Sequence, residues 1–162
     1  MTTTIFFDMD GTIADLYGVE NWLDYLIASD ALPYEIAKPL IRLNTLARIL
    51  NKLQKQGYKV GVISWLAKNS NTTYDEEVTR AKKEWLKKHL ASVKFDEIHI
   101  VKYGTPKQTF AKTENDILLK IPSNRSHPSE NCCVCYQVFT HTLRQRFLTQ
   151  GPPSPPQYYS CG

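Results

Sequence analysis

No cysteine occurs before position 132; all four, Cys132, Cys133, Cys135 and Cys161, lie close to the C-terminal end. No disulfide framework can therefore hold the residues that precede them. No apolar run approaches the length of a membrane span, and no basic-plus-apolar N-terminal segment of the secretory kind is present, so the sequence predicts a cytoplasmic protein without a membrane partner. A strong charge of one sign is also missing, since 20 Lys and Arg against 16 Asp and Glu leave a formal net charge of +4. The basic segment 80–88 is interleaved with Glu84, Trp85 and Leu86 at helical spacing. It reads as a solvated helix face, and no nucleic-acid partner is expected. Acids become scarce towards the end: residues 120–162 hold four basic side chains and only Glu130 on the other side.

What is present is ordinary in amount. A length of 162 residues with 42% hydrophobic and 22% charged side chains fits one domain with a modest core. The informative stretch is Ile5-Phe6-Phe7-Asp8-Met9-Asp10-Gly11-Thr12. Three β-favouring apolar residues without polar alternation suit a strand covered on both faces, as in a parallel α/β sheet. In extended backbone, residues two apart project to the same side, so Asp8 and Asp10 converge outside the carboxyl edge of that sheet, and Gly11 allows a sharp turn. Two carboxylates this close resist joint ionisation unless a cation lies between them or one keeps a proton. A hard, oxygen-seeking ion such as Mg²⁺ suits one of them, and proton transfer suits the other.

Further along, residues 17–29 carry Val19, Trp22, Leu23, Leu26 and Ile27 at helical spacing. A second helix is expected from Pro33 to Leu43, with Pro39 as a kink or break, and a third capped by Asn44 or Thr45 and stopped by Gly57. Residues 59–64 read as the second strand. A right-handed crossover brings its last residue, Ser64, beside Asp8 and Asp10. After a polar turn at 69–74, Asp75, Glu76 and Glu77 suit the first turn of a helix whose buried face is Val78, Ala81, Trp85, Leu86 and Leu90. Residues 95–101 form the third strand, with His99 as a half-exposed strand histidine. A loop follows, with Lys107 opening a short helix over 108–112 and Lys102 as a rival cation. Residues 115–119 form the fourth strand, with Asp116 at the end away from the site.

The string Asp8-Met9-Asp10-Gly11-Thr12 behind an apolar strand resembles the first motif of the haloacid dehalogenase-like phosphatases, and Ser64 and Lys107 resemble the second and third. The resemblance covers about residues 1–119. It implies a three-layer Rossmann-like parallel sheet with a small helical cap over about 17–43. Asp8 is then the nucleophile that forms an aspartyl-phosphate, and Asp10 protonates the leaving oxygen and later activates water. Thr12, Ser64 and Lys107 hold the phosphoryl group, and Mg²⁺ is bound at Asp8 and the backbone carbonyl of Asp10. The small cap and the Asp-Met-Asp-Gly start are similar to the 5′(3′)-deoxyribonucleotidase branch. A phosphorylated small molecule of the deoxynucleoside monophosphate kind is the implied substrate, with Tyr17, Trp22, Tyr25 and Trp65 as a stacking surface. The family's fourth motif, one or two Asp after the fourth strand, is not matched.

Residues 120–162 depart in composition, with six of the nine prolines and every cysteine. His127, His141 and the cysteines lack the paired spacing of a structural zinc module. A short helix over 138–147 and a disordered Pro-rich end are expected, and a reading-frame shift after about Leu118 accounts for both the missing acids and the composition. The alternatives to a phosphatase are a phosphate-binding or partner-binding module without turnover, and a truncated gene product.

Overall fold

The computed structural model describes residues 2–119. Its elements in chain order are β1 (Thr4–Phe7), β2 (Ala14–Asp15), α1 (Trp22–Ile27), α2 (Leu32–Ile36), β3 (Lys38–Pro39), α3 (Leu43–Lys55), β4 (Lys59–Trp65), α4 (Thr72–His89), β5 (Glu97–Val101) and β6 (Ile117–Leu119). Two 3₁₀ turns, Leu16–Gly18 and Lys107–Phe110, complete them. Strands β5, β4, β1 and β6 lie in that order in one parallel sheet, with Phe7 level with Val62 on one side and Leu119 on the other. The fold is thus α/β. No helix among the described residues is long and apolar enough to cross a membrane.

All four residues of β1 are buried, as a central strand covered on both faces requires. Ile5 and Phe7 join Val60 and Val62 in a cluster with Leu46 and Leu50 of α3 and Trp85 and Leu86 of α4. The connections from β1 to β4 and from β4 to β5 advance the same way across the sheet, and right-handed crossovers of that kind put both helices on one face. The return from β5 to β6 runs the other way. Its side carries Phe6 and Phe110 against the ring of His99, at 6.0 and 4.6 Å. Phe6 needs the missing side chain of Gly61, where a Cβ would lie 2.6 Å from its ring. A cavity of about 100 Å³ on this face is lined by Phe6, Ile63, Ile117 and Leu118 among others. Where the three-layer expectation calls for a second helical layer, the described residues offer only the Lys107–Phe110 turn.

Several boundaries differ from those read in the sequence. The helix expected over 17–29 shrinks to α1, because Asn21 and Ser29 at its two ends take left-handed backbone (φ 55° and 57°). The second helix stops at Ile36. Pro39 has no N–H to continue it and forces its predecessor out of helical conformation, so Lys38 and Pro39 pair instead with Asp15 and Ala14 as the short antiparallel ladder β2–β3. Helix α3 starts at Leu43 with Arg42 at its N-cap, not at Asn44 or Thr45. It ends as expected before Gly57, whose φ of 89° lets Tyr58 N–H return to Leu53 O at 3.1 Å. Helix α4 begins three residues earlier than its acids suggest, since the Asn71 side chain accepts from Tyr74 N at 2.9 Å and caps it. Strands β5 and β6 start later than expected, at Glu97 and Ile117, and the helix expected over 108–112 is the single turn Lys107–Phe110. The expectations for 120–162, including the helix over 138–147, the Pro-rich end and the Cys and His residues, lie outside the described residues.

Asp116 sits at the end of β6 away from the site, where it performs a structural task. Its Oδ1 accepts from Thr4 N at 2.8 Å and Thr113 Oγ1 at 2.8 Å, and its Oδ2 from Lys112 N at 2.7 Å and Thr113 N at 3.2 Å. Burial pushes this carboxyl up, but the donors outweigh it and hold it below its ordinary value. A carboxyl depressed in the fold contributes stability that is complete above its unfolded value and is lost as pH falls through the folded one. Asp116→Ala is therefore expected to cost about 3 kcal/mol near neutral pH, because it strands buried donors at the start of β1. The deficit should narrow in urea titrations repeated below about pH 4. An equal deficit at both pH values would show that the charge is irrelevant there.

Candidate active site

The carboxyl ends of β1 and β4 lie side by side, and the loop after β5 folds towards them. Asp8 follows β1 directly, anchored by its N–H to Leu119 O at 3.0 Å. The chain then turns tightly around Met9 O, which accepts from the N–H groups of Thr12, Ile13 and Ala14 at 3.0 to 3.2 Å. Gly11 is required in this turn for two reasons: its φ is +69°, and a Cβ would lie 2.8 Å from the ring of Tyr17. The turn sets Asp8 and Asp10 at the carboxyl edge of the sheet, within reach of Lys107 and Ser64 respectively, and buries Thr12.

Each carboxylate has its own ammonium partner. Lys107 Nζ lies 2.6 Å from Asp8 Oδ2, while Asp8 Oδ1 accepts from Met9 N at 2.9 Å. Lys82 Nζ lies 2.6 Å from Asp10 Oδ2, and Ser64 Oγ donates to the same oxygen at 3.1 Å. The repulsion expected between the two acids is thus balanced by two buried cations, and charge pairing of this kind is the condition for burying either. Lys107 is held from below. Its ammonium sits 4.7 Å over the ring of Trp65, whose Nε1 donates to Thr105 O at 2.8 Å and pins the loop that carries it. Lys102, the rival, is exposed. His99 is remote from this site; its Nε2 is 2.9 Å from Glu97 Oε2, and Glu97 also pairs with Lys112 at 2.5 Å.

Asp8, Asp10, Thr12, Ser64 and Lys107 all occupy this edge. Lys82 was not anticipated there. The spacing of segment 80–88 predicts a solvated face, yet Lys82 has no exposed surface at all. The signal was its position: Val78, Lys82 and Trp85 are spaced four and three apart, so the lysine interrupts an apolar helical stripe. Tyr34 of α2 was also missed. Its ring lies 4.8 Å from Lys82 Nζ, and burial first, then the Asp10 carboxylate, push its hydroxyl well above the ordinary value and keep it protonated.

Two aromatic pairs lie near these acids and lysines. Tyr17 meets Trp22 edge-on at 5.2 Å, and Trp65 meets Tyr103 at 5.3 Å. Burial, then the Asp10 and Asp8 carboxylates, raise the Tyr17 hydroxyl above its usual value, which sets it in the field of the paired acids. Trp65, one of the aromatics expected to form a stacking surface, carries the Lys107 ammonium over its ring and donates its N–H to Thr105 O. Tyr103, unremarked in the sequence, is open to solvent.

Among the described residues no group of three or more His, Cys, Asp or Glu is placed to hold a metal ion. The carboxylate and carbonyl oxygens of Asp8 and Asp10 are hard donors of the type Mg²⁺ takes, so the donor set fits that ion in kind while being small in number. The fold and site together define an α/β protein with a paired dicarboxylate and two buried lysines at the carboxyl edge of its sheet. No protein-family model and no curated protein sequence matches the chain.

Proposed function

We propose that the protein is a phosphomonoester hydrolase of the haloacid dehalogenase-like kind, built on a three-layer Rossmann-like core with residues 17–43 as its cap, and acting in the cytoplasm. The observation that carries this reading is the Asp8–Lys107 pair 2.6 Å apart beside the Asp10–Ser64 pair, all at one sheet edge. A phosphoryl group needs a nucleophile, a proton carrier and fixed cations within one small volume, and this edge offers each.

In the reaction, Asp8 Oδ2 attacks phosphorus and forms an aspartyl-phosphate as the bond to the leaving oxygen breaks. The proton of the Asp10 carboxyl goes to that oxygen, so the alcohol departs neutral. Asp10, now a carboxylate, takes a proton from water, whose oxygen attacks phosphorus and releases inorganic phosphate and free Asp8. Lys107, already 2.6 Å from Asp8 Oδ2, is within reach of the oxygens of the transferring group and offsets their charge. Thr12 and Ser64 complete the polar lining. Mg²⁺, when held by the Asp8 carboxylate and the Asp10 carbonyl, supplies charge neutralisation. A nucleoside monophosphate is the proposed substrate, because exposed Tyr17 and Tyr103 provide aromatic rings near the paired acids.

The test is hydrolysis of p-nitrophenyl phosphate and of nucleoside monophosphates with and without added Mg²⁺. Turnover of both, faster for the nucleotides per unit concentration and lost on chelation, is the expected result. Phosphate binding without turnover would favour the second reading, a binding module, which the two fully paired carboxylates also suit. Within the hydrolase reading, Lys107→Ala should weaken inhibition by vanadate about tenfold or more while Lys102→Ala leaves it near the parent value. The reverse order would move the anion contact to Lys102.

A further inference from the structure

A lysine with no exposed surface is costly unless its charge and protons are met inside the protein. Lys82 meets this condition with nothing to spare. Its ammonium has three protons, and it donates to Asp10 Oδ2 at 2.6 Å, to Ser64 Oγ at 2.8 Å and to the backbone carbonyl of Trp65 at 2.6 Å. The face of Tyr34 closes the remaining side at 4.8 Å. A lysine so committed has no proton left for a ligand. Its action on chemistry must pass through the groups it holds.

We infer that Lys82 is a positioning residue that fixes the orientation of the Asp10 carboxyl and the Ser64 hydroxyl for proton transfer, an inference that rests on the hydrolase reading above. Because Lys82 Nζ and Ser64 Oγ both donate to Asp10 Oδ2, the proton exchanged with the leaving group resides on Oδ1. Ser64 is the middle member of a chain: it accepts from Lys82 and donates to Asp10. The same lysine ties this chain to the segment before α3. Tyr34 lies over it, and one helical turn further along α4, Trp85 Nε1 donates to Ala37 O at 2.7 Å. The orientation of the proton carrier is thereby coupled to the seating of α2 on α4.

The experiment compares first-turnover release of the leaving group from an alkyl phosphate and from p-nitrophenyl phosphate. For Lys82→Met the alkyl substrate should slow by about 10 to 100-fold, while p-nitrophenolate, which departs without a proton, should slow by no more than about threefold. Equal losses on both substrates, or vanadate inhibition weakened by more than about fivefold, would overturn the inference in favour of a general structural or a phosphate-binding role. Removing one member of a buried ion pair can unfold a protein, so the double variant Lys82→Met/Asp10→Asn, which removes both charges, serves as the second arm. It should release alcohol at the rate of Asp10→Asn alone, because a residue acting through Asp10 has nothing further to lose. An additional tenfold drop would overturn the inference. If the parent hydrolyses neither substrate, the hydrolase reading has failed on its own account. Crystal structures of the parent and Lys82→Met then decide: Asp10 and Ser64 should leave their parent rotamers, and unchanged rotamers would show that Lys82 positions neither.

Discussion

An Asp8→Asn protein is expected to fold and to lose at least about 10⁴-fold of its phosphomonoesterase rate, the scale seen when a nucleophile is removed from a machine whose other parts remain. The amide matches the carboxylate in shape but has no charge and no lone pair able to attack phosphorus at Oδ2. The geometry adds a second penalty. Asp8 Oδ2 faces the Lys107 ammonium and Oδ1 faces Met9 N–H, so both positions require an acceptor. An asparagine offers only one oxygen, and whichever way it lies, one donor meets another. The variant should therefore melt a few degrees below the parent while keeping its circular dichroism, since Lys107 keeps the face of Trp65 below it. Turnover near the parent value in a folded Asp8→Asn protein would remove Asp8 as the nucleophile.

What could be read from the chain and what could not divide along a physical line. The first strand, the turn after it and the convergence of Asp8 with Asp10 follow from neighbours in sequence, because strand period and glycine backbone are local properties. Ser64 needed only the further rule that parallel strands present their carboxyl ends to one edge, whereas Lys107, in a loop beyond β5 with Lys102 as a rival, is singled out by the family resemblance. The segment between β1 and α3 resisted, since its apolar spacing suits helices but its backbone is decided by Asn21, Ser29 and Pro39, which break them. Lys82 resisted for a different reason. Burying a lysine depends on partners from the turn after β1 and from the end of β4, 72 and 18 positions away in the chain, and no local pattern announces them. The gap it leaves in the apolar stripe of α4 was visible, but the stripe alone cannot say whether such a residue snorkels to solvent or turns inward to an acid.

Asp10→Asn should separate the two halves of the proposed reaction. Lys82 and Ser64 both donate to the Oδ2 position, which obliges the new side chain to place its oxygen there and its amide nitrogen where Oδ1 was. That nitrogen can donate a hydrogen bond to a departing oxygen but cannot surrender a proton to it. Release of an alkyl leaving group should accordingly slow by about 10²–10⁴-fold, the usual contribution of general acid catalysis. A p-nitrophenyl leaving group needs no proton, so its first-turnover release should stay close to the parent rate. The second half is affected for either substrate, because water attacking the aspartyl-phosphate needs Asp10 as its base. With a fast first step and a slow second, p-nitrophenyl phosphate should give a burst of one product molecule per protein followed by a much slower steady rate, the behaviour of an accumulating covalent intermediate. Rapid-mixing absorbance measurements read both phases directly. An unchanged rate on the alkyl phosphate would exclude Asp10 as the acid, and a slow steady rate with no burst would show that Asp10 serves the first step for every leaving group and holds Asp8 in place through the turn they share.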